Sequence, residues 1–333
     1  MSVLKINQSG PFVSVQDSGR AGLMRFGVTR SGPMDRTAYQ ILQAALEGGE
    51  NFSAIEVSLG GLTLTATGPV TLGFVGGDFS VSLDRVPLPA WSVFTMETGQ
   101  TLTIRSGPSG SWGYLGVCGQ IDSPEWLGSR ATHLTTGLCG RVIKSGDVIT
   151  IHNATARRDL HAALPIPDFA GFDGKIRVVL GPQDQHFSQA VIDALTSEFT
   201  ITPDYDRMGM RLSGPSLHPE QALSIPSEAL VRGSVQVPGH GDPIILLAEH
   251  QTTGGYPKIA TVITADQDRL TQARSGMKLR LEIVDVNTAI KATRTHADQV
   301  DAYIQTLSDW RGSLEDRLNR LNLISGVITD SPD

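Results

Sequence analysis

The block His250-Gln251-Thr252-Thr253-Gly254-Gly255-Tyr256-Pro257-Lys258 places six polar side chains in nine positions, directly after the apolar run Ile244-Ile245-Leu246-Leu247-Ala248. A buried strand that empties into a glycine pair ringed by an imidazole, an amide, hydroxyls and an ammonium can hold a polar ligand. The glycines admit close backbone approach, and every neighbour can donate a hydrogen bond. A tight turn between two core strands, with Thr252 and Thr253 bonding their own backbone, would use the same residues. The density of polar groups exceeds what a turn needs and favours a site.

Two further regions carry chemistry. Asp206-Arg207-Met208-Gly209-Met210-Arg211-Leu212 sets two guanidinium groups around a glycine, where they could clamp a carboxylate or phosphate or simply decorate strand faces. Near the amino terminus, Val15-Gln16-Asp17-Ser18-Gly19-Arg20 follows a strand, and Gly27 to Asp35 leads into a helix. Asp17 and Arg20 around Gly19 read as an ion pair closing a barrel end. Ser31, Met34 and Asp35, with them, form a candidate second site or interface.

The elements that must position these groups are mostly strands. Ala54–Leu59, Leu62–Ala66, Phe79–Leu83 and Leu102–Ile104 alternate with period two, and turn signals recur at Gly60-Gly61, Gly68-Pro69, Gly76-Gly77, Gly107-Pro108 and Gly146-Asp147. Many short strands at this spacing predict a barrel or sandwich. Helices are few. One starts at Ser31-Gly32-Pro33, with Pro33 near its first position and Met34, Ala38, Ile41, Leu42, Ala45 and Leu46 forming its apolar stripe; others are expected over 186–195 and 266–274. After Val286 the alternation stops and helix formers dominate, predicting a helical extension over 286–325. The Pro-rich stretch Leu164-Pro165-Ile166-Pro167 separates a first domain, 1–160, from a second, 174–285. Both close on similar phrases, Lys144 to Ile151 and Arg274 to Leu281, which fits related barrels in tandem.

Composition excludes several function classes. Charged residues make up 18% and net charge is −7, so no basic face invites nucleic acid or anionic lipid. No apolar segment approaches the roughly 20 residues needed to span a bilayer, and the amino terminus reads as a strand; a soluble cytoplasmic protein is the simplest account. Cys118 and Cys139 have no ligand-spaced companion, so neither a metal site nor a disulfide framework is indicated.

The phrases Val15–Arg20, Ser31–Asp35, Arg207–Leu212, Gly233-Ser234-Val235-Gln236-Val237-Pro238 and Gln251–Lys258 fall in the order of one family. Over Leu4 to Val284 the chain resembles the allophanate hydrolase subunit 2 family, also described as biotin-dependent carboxyltransferase-like. That resemblance implies a mainly β fold of tandem cyclophilin-like barrels, a subunit 1-type partner and, in 5-oxoprolinase, a third subunit of the lactam-utilisation type. The implied reaction is ATP-dependent opening of 5-oxo-L-proline to L-glutamate, with ATP shared among subunits and accompanied by Mg. Such chemistry needs cations and donors around oxygens that gain charge.

On this reading Lys258, His250 and Arg207 are the catalytic candidates, with His250 as proton carrier. Gln251, Thr252, Thr253, Gly254, Gly255, Tyr256, Arg211 and Gln236 would bind substrate. The chain departs from the family pattern at Leu42-Gln43, Gly48-Gly49 and Glu249, where Ala-Asn, Gly-Asn and Asp are usual. Met277-Lys278-Leu279 resembles a biotinylation triplet but lies in an expected barrel strand, so no covalent biotin is expected; no phosphate loop ending in Gly-Lys-Ser or Gly-Lys-Thr is present. Two alternatives stand beside oxoprolinase: a carboxyltransferase component acting on urea or a related amide with a separate biotin carrier, and a regulatory protein that binds its subunit 1-type partner.

Overall fold

A computed structural model describes residues 2–220 and 225–312. The amino-terminal half holds two antiparallel sheets. The seven-stranded one runs, in spatial order, Gln120–Ile121, Val148–His152, Ser2–Ser9, Leu62–Ala66, Thr101–Ser109, Asp78–Leu83 and Val86–Leu88. The six-stranded one runs Ala162–Ala163, Ser92–Met96, Val70–Val75, Trp112–Val117, Ala54–Ser58 and Ser14–Gln16. Leu4, Ile6, Leu64 and Ile104 from the first meet Val15, Ile55, Leu72, Phe94 and Leu115 from the second in one core. This half is thus two stacked sheets where a closed barrel was expected. Alternation specifies which face of a strand is buried, and a sandwich and a barrel ask for the same faces.

Strands Ala54–Ser58, Val70–Val75 and Trp112–Val117 are buried at every position, because helix α1 (Arg36–Ala45) covers the outer face of their sheet. Ala38, Ile41, Leu42 and Ala45 supply the apolar stripe read from the sequence. The helix begins three residues after Pro33, capped by Asp35, whose carboxylate accepts the Ala38 N–H at 2.8 Å. Gly116 lies beneath it: a Cβ there would stand 2.6 Å from Leu46 Cδ1.

The carboxy-terminal half is a closed seven-stranded barrel in the order Lys175–Leu180, Lys258–Val262, Ser234–Gln236, Ile244–Leu246, Gly209–Ser213, Glu198–Tyr205 and Lys278–Ile283. One pair in it is parallel, Lys175–Leu180 with Lys278–Ile283. Lys278 is therefore a barrel residue, its Nζ bonded to Thr200 Oγ1 at 3.0 Å. The expected short helices appear as α2 (Gln189–Leu195) and α3 (Thr264–Thr271).

Helix α4 (Val286–Gln305) starts the predicted extension, capped by Asp285, and a 3-10 turn at Leu307–Trp310 follows. It packs on α3 and α1, with Val300 and Leu307 buried and Tyr303 edge-on to Trp91. The rest of the predicted extension, 313–325, lies outside the described residues. Among the described residues no helix is long and apolar enough to cross a membrane.

Candidate functional site

Four of the predicted ligand residues owe their meeting to barrel register. Arg211 lies opposite Ile244, Ile244 opposite Gln236, and Gln236 opposite Lys258 on adjacent strands. Met210, Ile245 and Val235, one position along each strand, belong to the barrel core. Period-two alternation therefore sets the Arg211–Ile244–Gln236 row on the outer face. Segment 251–256 folds over that row and helps close a cavity of about 490 Å³, lined by Arg211, Gln236, Gln251, Tyr256, Tyr205 and Met208 among others.

Two donors in this cavity are unpaired. Gln236 Nε2 and Arg211 Nε are buried with no hydrogen-bond partner, although Asp204 stands 3.5 Å from the latter and His240 Nε2 lies 3.2 Å from Arg211 Nη1. An unsatisfied buried donor costs about 1–3 kcal/mol, so two around one cavity call for a ligand that brings acceptors. Gly254 is what lets the loop come this close. A Cβ there would stand 2.9 Å from Leu230 Cδ1, 3.0 Å from Gln236 Nε2 and 3.1 Å from Gln251 Nε2.

Lys258 continues the row but is turned to another task. Its buried Nζ lies 3.0 Å from the Glu228 carboxylate, which also accepts from Gln183 Nε2 at 2.7 Å. Glu228 belongs to a two-stranded ribbon, Glu228–Ala229 with Thr253–Gly254, so this ion pair ties the loop to the barrel wall. Thr252 and Gly255 build the same ribbon through their carbonyls, which accept from Leu230 N and Ile225 N. Thr252 and the exposed Thr253 lie outside the cavity lining and are structural, a correction to the expectation that both touch ligand.

Arg207 requires the largest correction. Its side chain is 2% exposed, with Nε 2.6 Å from Glu249, Nη1 on Glu56 and Nη2 donating to Gly32 O at 2.7 Å. Glu56 and Glu249 are themselves 0% and 1% exposed. Every nitrogen of that guanidinium is committed, and no substrate oxygen can reach it. Glu249 accepts the Leu134 N–H through its other oxygen at 3.0 Å, so its carboxylate also spans the two halves. Glu56 accepts Met34 N–H and Tyr114 O–H, both at 2.8 Å, and burial pushes the Tyr114 hydroxyl pKa well up. The sequence did not mark Glu56; a lone glutamate inside an alternating strand was its one signal.

The amino-terminal candidates divide likewise. Asp17 and Arg20 do not pair with each other. Asp17 accepts from Gly19 N, Ser129 Oγ and Arg130 N, while Arg20 donates to Trp126 O and Ala131 O and stacks on the Trp126 ring. Both pin the 126–131 segment. Met34 is buried in the core cluster of the second half, and Asp35 receives Gln272 Nε2 at 2.7 Å, so these two form an interface between halves. Burial and the nearby Asp268 push the Asp35 carboxyl up to about 7. Ser31 lines a separate cavity that also takes His250. His250 is thereby removed from the Arg211–Gln236 cavity. Its Nδ1 donates to Gln251 O at 2.7 Å, and burial pushes its pKa down.

With this geometry in place, comparison with known proteins is informative. The family described as carboxyltransferase domain, subdomain A and B matches residues 26–283. The chain belongs to that family. It is 37% identical to the C component of 5-oxoprolinase from Haemophilus influenzae over 86% of its length and 93% of that protein. Against the C component of 5-oxoprolinase from Escherichia coli it is 33% identical, over 93% and 98% respectively. The solved structure of TTHA0988 superposes with a TM-score of 0.76 at 30% identity, over 85% of this chain and 55% of the longer one.

Within this carboxyltransferase-family chain, the residues that the sequence left unmarked are Glu228 and Gln183, which hold Lys258, and Arg232, which joins the halves. Arg232 donates to Pro33 O at 3.0 Å and to Met34 O, and burial together with Arg36 pulls its pKa down to about 10. Among the described residues no group of three or more His, Cys, Asp or Glu is placed to hold a metal ion. The open cavity therefore offers a guanidinium, two amides and the Tyr256 phenol: a set suited to binding a small anionic amide by charge at one end and hydrogen bonds at the other.

Proposed function

We propose that this chain is a subunit of an ATP-dependent 5-oxoprolinase, opening 5-oxo-L-proline to L-glutamate with release of ADP and phosphate. The observation that carries the reading is the pair of unpaired donors, Arg211 Nε and Gln236 Nε2, on one face of the cavity. Arg211 receives the substrate carboxylate, while the Gln236 and Gln251 amides donate to the lactam oxygen, on which charge grows as the ring opens. Tyr256 is the remaining donor on the covering loop. Lys258, held by Glu228, keeps that loop seated and supplies positive charge behind Gln236. ATP, when bound, supplies the phosphoryl group that activates the lactam oxygen; Mg would enter on its phosphates.

The curated relatives that share most of this chain's length are each named as one lettered component of 5-oxoprolinase, which supports partners of the subunit 1-type and lactam-utilisation kinds and a cytoplasmic complex. In this reading 1–160 and 174–285 are cyclophilin-like units, and 286–325 is an added helical extension. The test is glutamate and ADP release from 5-oxo-L-proline and ATP by the three proteins together, then with this chain omitted. Turnover should vanish on omission. Turnover that persists, or that requires bicarbonate and a biotin carrier instead of oxoproline, would sink the proposal and leave carboxyl transfer.

A further inference from the structure

Between the two halves lies a second cavity, of about 260 Å³, separate from the one that holds Arg211 and Gln236. Its walls include Arg30, Ser31, Arg36, Arg232 and His250. Ser31 is 4% exposed, yet its Oγ has no hydrogen-bond partner, and Arg232 Nε is a second buried donor without one. The other nitrogens of Arg232 hold the Pro33 and Met34 carbonyls, and Arg36 is bonded to Asp268 and Gln267. Arg30 is exposed and extends from the loop that carries Ser31. Three guanidinium groups thus face one carboxylate within ion-pair reach, Asp268, an excess of two positive charges; Asp35 behind it is driven toward its neutral form. His250 completes the wall. Since its Nδ1–H donates to Gln251 O, Nε2 is left as the acceptor of the neutral ring.

We propose that this cavity is a second ligand site, one for a doubly charged phosphoryl oxyanion such as hydrogen phosphate. Guanidinium and hydroxyl donors match the phosphate oxygens, and two net positive charges match its charge. The single acceptor, His250 Nε2, matches the one P–O–H. A carboxylate has no O–H for that acceptor, and bicarbonate carries only half the charge. Ser31 holds a left-handed backbone, φ 53°, that turns the loop under Gly32 toward Arg232 and fixes the hydroxyl where only an incoming ligand can meet it.

The experiment is calorimetric titration of the full chain with inorganic phosphate, and separately with a non-hydrolysable ATP analogue and with bicarbonate. Saturable binding of phosphate is expected if the free anion is the ligand, and of the analogue alone if the terminal phosphoryl of a nucleotide is. In either case Arg30→Ala, at an exposed position that leaves folding intact, should weaken binding about tenfold and Ser31→Ala about threefold, whereas Arg211→Ala should not change it. The proposal is overturned by absence of saturable binding of both phosphoryl ligands, by binding of bicarbonate alone, or by wild-type affinity in Arg30→Ala and Ser31→Ala together. Because the readout is binding by the isolated chain, it stands or falls independently of oxoproline turnover.

Discussion

Arg207 and Arg211 are four positions apart, carry the same charge and read alike in the sequence, yet one is sealed between two buried carboxylates and the other opens onto a cavity. Their substitutions should behave differently. Arg211→Ala removes an unpaired donor from a half-exposed site, so the reconstituted enzyme should show at least about a tenfold rise in KM for oxoproline with an unchanged unfolding midpoint. An unaltered KM would remove Arg211 from the substrate. Asp35 gives a test by pH. Its folded-state carboxyl is pushed up to about 7 from 3.8, so the folded chain holds that proton more tightly than the unfolded one. The resulting stability is fully present below the unfolded value and is lost as pH rises through about 7. Asp35→Asn cannot ionise. Whatever fixed cost the swap carries, the midpoint of the variant minus that of wild type should grow more positive from about pH 5 to about pH 8. A flat difference would mean Asp35 is ionised throughout.

At the scale of elements, the covering ribbon depends on a close approach that only glycine allows. Gly254→Ala would press a methyl group on Leu230, Gln236 and Gln251. The strain falls on a two-stranded ribbon outside the barrel ladder, so the barrel should persist while the loop lifts. The expected outcome is loss of oxoproline affinity by about tenfold or more with stability lowered by about 1–3 kcal/mol, read by steady-state kinetics and denaturant unfolding. Full activity would show that the ribbon does not shape the site. The strands of this barrel were legible from alternation, as was the glycine-rich loop. Which predicted ligands would share a cavity was not, because register between strands is set by pairing partners far along the chain. Gln236 and Arg211 meet only because Ile244 stands between them.

For the whole molecule, the two halves are joined by charge as well as by packing. Arg207 links Glu249 of its own half to Glu56 of the other, and Gln272 joins Asp35 to the Trp112 backbone. Removing one member of such a buried group strands the others. Arg207→Met should therefore cost about 3–5 kcal/mol of stability and release soluble but partly opened protein, whereas a triple replacement of Arg207, Glu56 and Glu249 by apolar residues should recover much of that loss. Thermal unfolding of the isolated chain decides it; a single variant as stable as wild type would show the cluster to be dispensable. The family motif around Arg207 thus serves the joint between halves, and any loss of turnover in that variant follows from the joint.

Residue types and their spacing determined much by themselves: a mainly β chain with few helices, an α1 stripe, a helix starting at Val286, and family membership through the order of five short phrases. These are local properties, fixed by period, turn chemistry and motif. Tertiary structure alone decided which polar residues face a ligand. Arg207 meets Glu56 across 151 positions, His250 meets Ser31 across the joint between halves, and Lys258 meets Glu228 on the ribbon. Burial and a partner carboxylate turn a candidate cation into a structural one, and neither can be read from a side chain's neighbours in sequence. Where no such partner arrives, as at Arg211 and Gln236, a buried donor is left for something the chain does not itself contain.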